Sequence, residues 1–71
     1  MKRAELIRLA RKTARRHGLR FELLTQGGDH EMWCAGGTVV ILPRHASELS
    51  SGVERDIKVK LEREFGRDWW R

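Results

Sequence analysis

Between Lys2 and His17 the apolar positions Leu6, Ile7, Leu9, Ala10, Thr13 and Ala14 recur every three or four residues, the spacing that lines one flank of an α-helix. Gly18 stands where such a helix ends. From Leu19 to Thr25 the period shortens to two, with Leu19, Phe21 and Leu23 alternating with Arg20 and Glu22, as on a strand. Gln26-Gly27-Gly28-Asp29 reads as a hairpin turn and His30–Ala35 as a second strand. Gly36-Gly37 is a second tight turn, and Thr38–Leu42 a β-branched third strand ended by Pro43. After a loop from Pro43 to Ser50, Ser51 with Glu54 three residues later fits a capping box. Val53, Ile57, Leu61 and Phe65 then recur at i, i+4 as the stripe of a second helix, which Gly66 stops. The predicted order is α-β-β-β-α, an α+β domain with a three-stranded antiparallel meander and both helices on one face. Its parts are a basic helix over 1–18, the meander over 19–42, the second helix over 51–66 and a tail over 67–71.

A chain of 71 residues buries only about 60% of the surface its unfolded form exposes. Its core is thin, and any site is expected on an open surface or in a shallow cleft. The longest aliphatic run is Val39-Val40-Ile41-Leu42, far short of the roughly 20 residues a membrane helix needs. Met1-Lys2-Arg3 opens like a secretory signal, but charges continue through Arg16 where an apolar segment would have to follow. A cytoplasmic protein without membrane contact is expected. Cys34 is the single cysteine, which excludes an internal disulfide or a multi-cysteine zinc site. His17, His30 and His45 match no metal-binding spacing, so neither metal nor cofactor is expected.

Charge changes the picture further. The net charge is +5, but it is unevenly placed. Residues 1–20 hold eight basic residues and one acid, whereas residues 21–71 hold seven basic and nine acidic ones. The positive field belongs to the first helix, where Arg8, Arg11, Lys12 and Arg15 form a ridge opposite the apolar flank. Such asymmetry fits a polyanionic partner, a nucleic acid or an acidic protein surface. A merely solvated helix face is the plainer explanation.

Among the candidate reactive side chains, His30 is the most informative. It follows Gly27-Gly28-Asp29 and opens a strand, so it lies at a hairpin mouth. Glycines there let a phosphodiester backbone approach without Cβ clashes, and imidazole as a class exchanges protons near neutral pH. The plainer alternative is a polar residue opening a strand. His45, in Pro43-Arg44-His45, could contact phosphate beside Arg44 or be a loop residue satisfied by backbone. His17 falls in the last turn of helix 1, where a cation complements the helix dipole. Cys34 shares a sheet face with His30 and Met32 and reads as a packing residue, since nothing nearby would activate its thiol. Trp33 alternates with Glu31 and Ala35 on the other face. If that face meets the helices, His30 points to the open side; the opposite assignment buries Met32 and Cys34. Periodicity leaves both open. Trp69-Trp70 could stack RNA bases, dock in a partner or pack on the core.

The order and spacing of these pieces carry a resemblance. Glu5-Leu6-Ile7 lies in helix 1, Gly27-Gly28-Asp29-His30 forms a turn ending in histidine, and Trp33 stands three residues after it. Val40-Ile41-Leu42-Pro43-Arg44-His45 and Glu48-Leu49-Ser50-Ser51-Gly52 lead into the last helix. From about Lys2 to Phe65 the chain resembles the HicA family of small toxins, messenger-RNA interferases neutralised by HicB antitoxins. The resemblance implies a double-stranded-RNA-binding-domain-like fold, ribonuclease activity and a HicB-type protein partner, with His30 in the catalytic position. Two departures stand out. Asp29 occupies a place where Ser, Lys or Arg is frequent, and the tryptophan-bearing tail runs beyond the usual helix end.

RNA brings its own nucleophile, the 2′-OH, so a metal-free enzyme needs proton transfer and charge stabilisation only. The expected function is therefore the toxin of a toxin–antitoxin pair, a metal-independent endoribonuclease with His30 as general base or acid. Gly27, Gly28, Lys2, Arg3, Arg8, Arg11, Arg15, Arg44 and His45 are the expected RNA contacts. One alternative is a non-catalytic RNA-binding module of the same fold. It is disfavoured because the last helix opens with Ser51-Gly52-Val53-Glu54-Arg55-Asp56 and not with the lysine cluster such modules carry. The other is a protein-binding subunit that docks through its basic helix.

Overall fold

The computed structural model describes residues 1–71. Helix α1 spans Arg3–Arg16, strands β1, β2 and β3 span Phe21–Gly27, His30–Ala35 and Thr38–Pro43, and helix α2 spans Ser51–Phe65. The strands form one antiparallel sheet in the order β1-β2-β3, the predicted meander. No helix is long and apolar enough to cross a membrane.

The apolar flank of α1 buries Leu6, Ile7, Ala10, Thr13 and Ala14, while Leu9 is half-buried at its margin. Thr13 enters the core at low cost because its Oγ1 donates to the Leu9 carbonyl at 2.8 Å. The helix closes on His17. The Leu19 N–H donates to the Ala14 carbonyl at 2.8 Å and the Gly18 N–H to that of Arg15 at 3.2 Å, the paired bonds of a Schellman ending. Leu19 and Arg20 are spent on this exit, so β1 begins at Phe21 and not at Leu19. At its other end β1 runs two residues further than the alternation predicted, to Gly27.

Both hairpins are as short as hairpins can be. Gly27 pairs with His30 and Ala35 with Thr38, which leaves Gly28-Asp29 and Gly36-Gly37 as two-residue turns. Gly28 and Gly36 take φ of 59° and 57° at the first turn position, where a side chain would be strained. The register of β1 against β2 slips between Leu23 and Thr25, a bulge that leaves Leu24 54% exposed. The alternation did not predict this bulge.

Helix α2 begins at Ser51, as predicted, but its cap lies one residue earlier than the predicted capping box. Ser50, not Ser51, is its N-cap, with its Oγ accepting from the Val53 N–H at 3.3 Å. Glu54 does not close a box; it binds the Met1 ammonium at 2.8 Å and Lys58 at 2.7 Å. The chain start is also stitched to the loop before α2 through Leu49 N–H to Met1 O and Arg3 N–H to Ser47 O, at 3.0 and 2.9 Å.

Both helices lie on one face of the sheet. Phe21, Trp33, Ala35, Val40 and Leu42 meet Leu6, Ala10, Ala14, Ile57, Leu61 and Phe65 in a single core. Helix α1 packs on β1 and α2 on β3. Trp69 extends the core outward, edge-on to Phe65 at 5.1 Å, with its indole N–H donating to the Lys58 carbonyl at 2.8 Å. Of the three roles open to the tail tryptophans, packing accounts for Trp69. Trp70 sits against Trp69 and beside the Lys58 ammonium.

Candidate functional site

The register settles which way His30 points. Residues on the His30 side of β2 alternate with Glu31, Trp33 and Ala35, all buried against the helices. His30 therefore faces away from them, on the uncovered side of the sheet. Its ring lies in a shallow depression with Thr25, Gly27, Met32 and Ile41. The same face exposes Met32 at 39%, Val39 at 41% and Ile41 at 53%, with Cys34 half-buried between them.

Trp33 anchors the covered side. It stacks on Phe21 with ring centres 5.1 Å apart and lies under the Arg11 guanidinium at 5.2 Å. Its indole N–H donates to Glu31 Oε1 at 3.1 Å. Glu31 is only 7% exposed, and a buried carboxylate needs partners. Arg3 supplies them, pairing Nη2 with the same oxygen while its Nε donates to the Pro43 carbonyl at 2.9 Å. Pro43 is the cross-strand neighbour of His30. A buried ion pair thus pins the start of α1 to the end of the sheet that carries the histidine.

Several expected RNA contacts gather at that end. Gly27 faces His30 across the hairpin, and the Arg44 N–H donates to the Asp29 carbonyl at 2.7 Å, holding the Arg44 bend against the turn. Arg44 and His45 are exposed and unpaired there. Lys2 is exposed at the start of α1, bridged through its backbone to Glu48. Arg3 is different: its guanidinium is committed to Glu31 and Pro43, so it positions the helix and has little left to offer a phosphate. An added Cβ at Gly27 or Gly28 would meet nothing within 4 Å, so this turn is open to an approaching chain. At Gly36, by contrast, the Glu64 carboxylate already fills the space, held by Thr38 Oγ1 at 2.7 Å. One glycine turn is open and the other is roofed.

The remaining expected contacts lie elsewhere. Arg8, Arg11, Lys12 and Arg15 are exposed and line a groove beside α1 whose floor is Trp33 and the Arg3–Glu31 pair. The groove continues past Arg11 and Arg15 to Arg20 and Phe21. It opens on the helix side of the sheet, so His30 and the ridge are on opposite faces and do not meet directly. Arg20 and the inward Glu31 had not been singled out from the sequence. A signal for Glu31 was present in its strand phase, which it shares with Trp33 and Ala35.

His17, the C-cap of α1, is exposed and stacks on Phe65 at 5.9 Å. No three His, Cys, Asp or Glu side chains are grouped where they would hold a metal ion. The clearest electrostatic perturbation lies at the chain start. Lys58 and then the Met1 ammonium hold the Glu54 carboxyl below its ordinary range, and Glu54 raises the amine above its own. No family model matches this chain, and neither a curated protein nor a solved structure does.

Proposed function

We propose that the protein is a cytoplasmic, metal-independent endoribonuclease of HicA type with His30 as its proton-transfer residue. The observation that carries this reading is the placement of His30. Its ring is exposed on the uncovered sheet face, beside a glycine turn with free space above it and at the same end as Lys2 and Arg44. A structural histidine would need none of these features. The order of motifs resembling that of the HicA toxins, carried on an α-β-β-β-α order of elements, supports the same reading.

In the proposed reaction the ribose 2′-oxygen attacks the adjacent phosphorus. The 2′-O–P bond forms, the P–O5′ bond breaks, and the 2′-OH proton is lost while the 5′-oxygen gains one. His30 carries one of these two proton transfers. Lys2, Arg44 and His45 offset charge on the pentacoordinate phosphorus. The products are a 2′,3′-cyclic phosphate and a 5′-OH end.

Such an enzyme has an open site and no lid, so its restraint comes from outside. The partner is a HicB-type antitoxin that covers His30 and the Gly27-Gly28 turn. The aliphatic side chains Met32, Val39 and Ile41 give it an apolar footing beside them. Binding to the folded state alone raises the melting temperature of a thin core. Hydrogen exchange with and without the partner reads the footprint directly, and an exposed His30 face in the complex would rule out occlusion.

The test of the reading is growth on induction. Expression should arrest growth, and His30→Ala should relieve the arrest at an equal protein level. Arrest that persists in His30→Ala points to the basic helix acting as a non-catalytic RNA-binding or protein-binding surface.

A further inference from the structure

The groove beside α1 and the histidine face are two halves of a path. Over the twelve steps from Arg3 to Arg15, α1 rises about 18 Å, and the groove follows it. Arg8, Arg11, Lys12 and Arg15 take part in no ion pair, as is true of Lys2 and Arg44, and they stand out by lying in one line along the groove. Four unneutralised cations in one line set up a positive potential that an anion running beside them would lower. At one end the groove reaches Arg3, which is bonded to Pro43 across from His30. The groove and His30 thus share one end of the sheet and differ by its thickness, in a molecule whose extents are 30 × 23 × 16 Å.

We infer that this groove binds single-stranded RNA, whose backbone follows the α1 cations and turns around the β1–β2 hairpin to reach His30. The groove's affinity for RNA stands on its charge alone; the last step of the path rests on the ribonuclease reading. A duplex does not fit this route. Duplexes are straight on the scale of this molecule, and the turn from one sheet face to the other happens within a single hairpin. The second surface a duplex would use in this fold, the start of α2, is also occupied. Glu54 is bound by Met1 and Lys58, and Asp56 by Lys60, so the start of α2 presents ion-paired carboxylates and no lysine cluster. The open space above Gly27 and Gly28 is what the turn of a single strand needs.

Fluorescence anisotropy on the full-length His30→Ala protein tests this without consuming RNA. The probes are an unstructured RNA of about 12 nucleotides, within the ~4–16 typical of single-strand sites, and the duplex of the same sequence. The single strand should bind with a log K against log salt slope of about −3, as expected for four phosphate contacts at roughly −0.7 each. R8E/R15E, at two exposed positions without ion pairs, should lower that slope by about 1.4 and weaken binding ~tenfold or more. Lys60→Gln, on α2, should leave the slope unchanged. The duplex should bind the unmodified groove more weakly than the single strand. Equal or tighter duplex binding overturns the inference, as does R8E/R15E binding RNA like its parent. If R8E/R15E loses only its affinity for poly-glutamate and keeps that for RNA, the groove is a protein-docking surface and the inference is wrong. Groove-dependent binding of single strands that the histidine-bearing protein fails to cleave supports the groove and removes the ribonuclease reading.

Discussion

The two faces of the sheet are made from the same three strands, residue by residue in alternation, yet they are built for different ends. On the covered face Trp33, Val40 and Leu42 are 5%, 0% and 0% exposed, and even the charged residue there, Glu31, is held through its Oε1 by Arg3 and Trp33. On the open face Met32, Val39 and Ile41 keep 39%, 41% and 53% of their surface in water, and His30 has no side-chain partner. One face holds the fold together. The other is available for binding and chemistry, at little cost to stability.

If that division holds, substitutions one residue apart in β2 and β3 separate activity from stability. The largest expected effect is on activity: His30→Ala should lower RNA cleavage about 10²–10⁴-fold, the contribution of a positioned general acid or base. Its thermal midpoint should move by a few degrees at most, since the loss at an exposed site is about 0.5 kcal/mol or less. A His30→Ala protein that unfolds would erase the division. Next in size, Leu42→Ala should cost about 2–5 kcal/mol through the cavity it leaves in the core. That is a large share of a small domain's stability, visible as a lowered denaturant midpoint. Its neighbour Ile41→Thr, on the open face, should shift the midpoint by about 0.5 kcal/mol. Similar losses for the two would show the open face to be structural after all.

Glu31 sharpens the comparison because it is polar on the wrong face. Glu31→Ala strands the Arg3 guanidinium in a mostly buried place and removes the acceptor for the Trp33 indole. A loss of about 3–5 kcal/mol is expected for breaking one side of a buried pair, reduced to the extent that Arg3 swings out to water. Urea denaturation reads it, and double substitution with Arg3→Met should recover part of the loss.

Most of this architecture was legible in the sequence because it follows from repeats that chemistry enforces. The 3.6-residue period of Leu6-Ile7-Ala10-Thr13-Ala14 sets α1, and the two glycine doublets set the hairpins. The orientation of the sheet was not legible, since His30-Met32-Cys34 and Glu31-Trp33-Ala35 are each two-thirds apolar. The choice turns on a glutamate going inward, which pattern alone disfavours and which depends on an arginine 28 residues away. The bulge at Leu24 has no local signature, and with Ser50 and Ser51 adjacent, both serines were competent to cap α2. For the site, the sequence pointed to His30 and to the basic ridge. Their placement on opposite faces, joined at one end through Arg3 and Pro43, emerges only from the packing of α1 on the sheet.

The smallest expected effect is on pH dependence at the chain start. Glu54 has a lowered carboxyl pKa, from Lys58 and the Met1 ammonium, so its contribution is present above the ordinary carboxylate range and is lost as the pH falls through its folded value. The Met1 amine has a raised pKa, so its contribution is full below its ordinary value of 8.0 and is lost as the pH rises through the folded one. Thermal stability should therefore be flat near neutrality and fall gently on both sides. Glu54→Gln should flatten both shoulders, and unchanged shoulders would mean the pairs do not persist in solution.

His30 on the open face is proposed to cleave RNA without a metal. The most direct test is to map product ends after incubating purified protein with a structured-free RNA in EDTA, alongside His30→Ala. The parent protein should leave 2′,3′-cyclic phosphate and 5′-OH ends, and the variant should leave the RNA intact. Ends bearing a 3′-OH, activity that vanishes in EDTA, or equal cleavage by His30→Ala would contradict it.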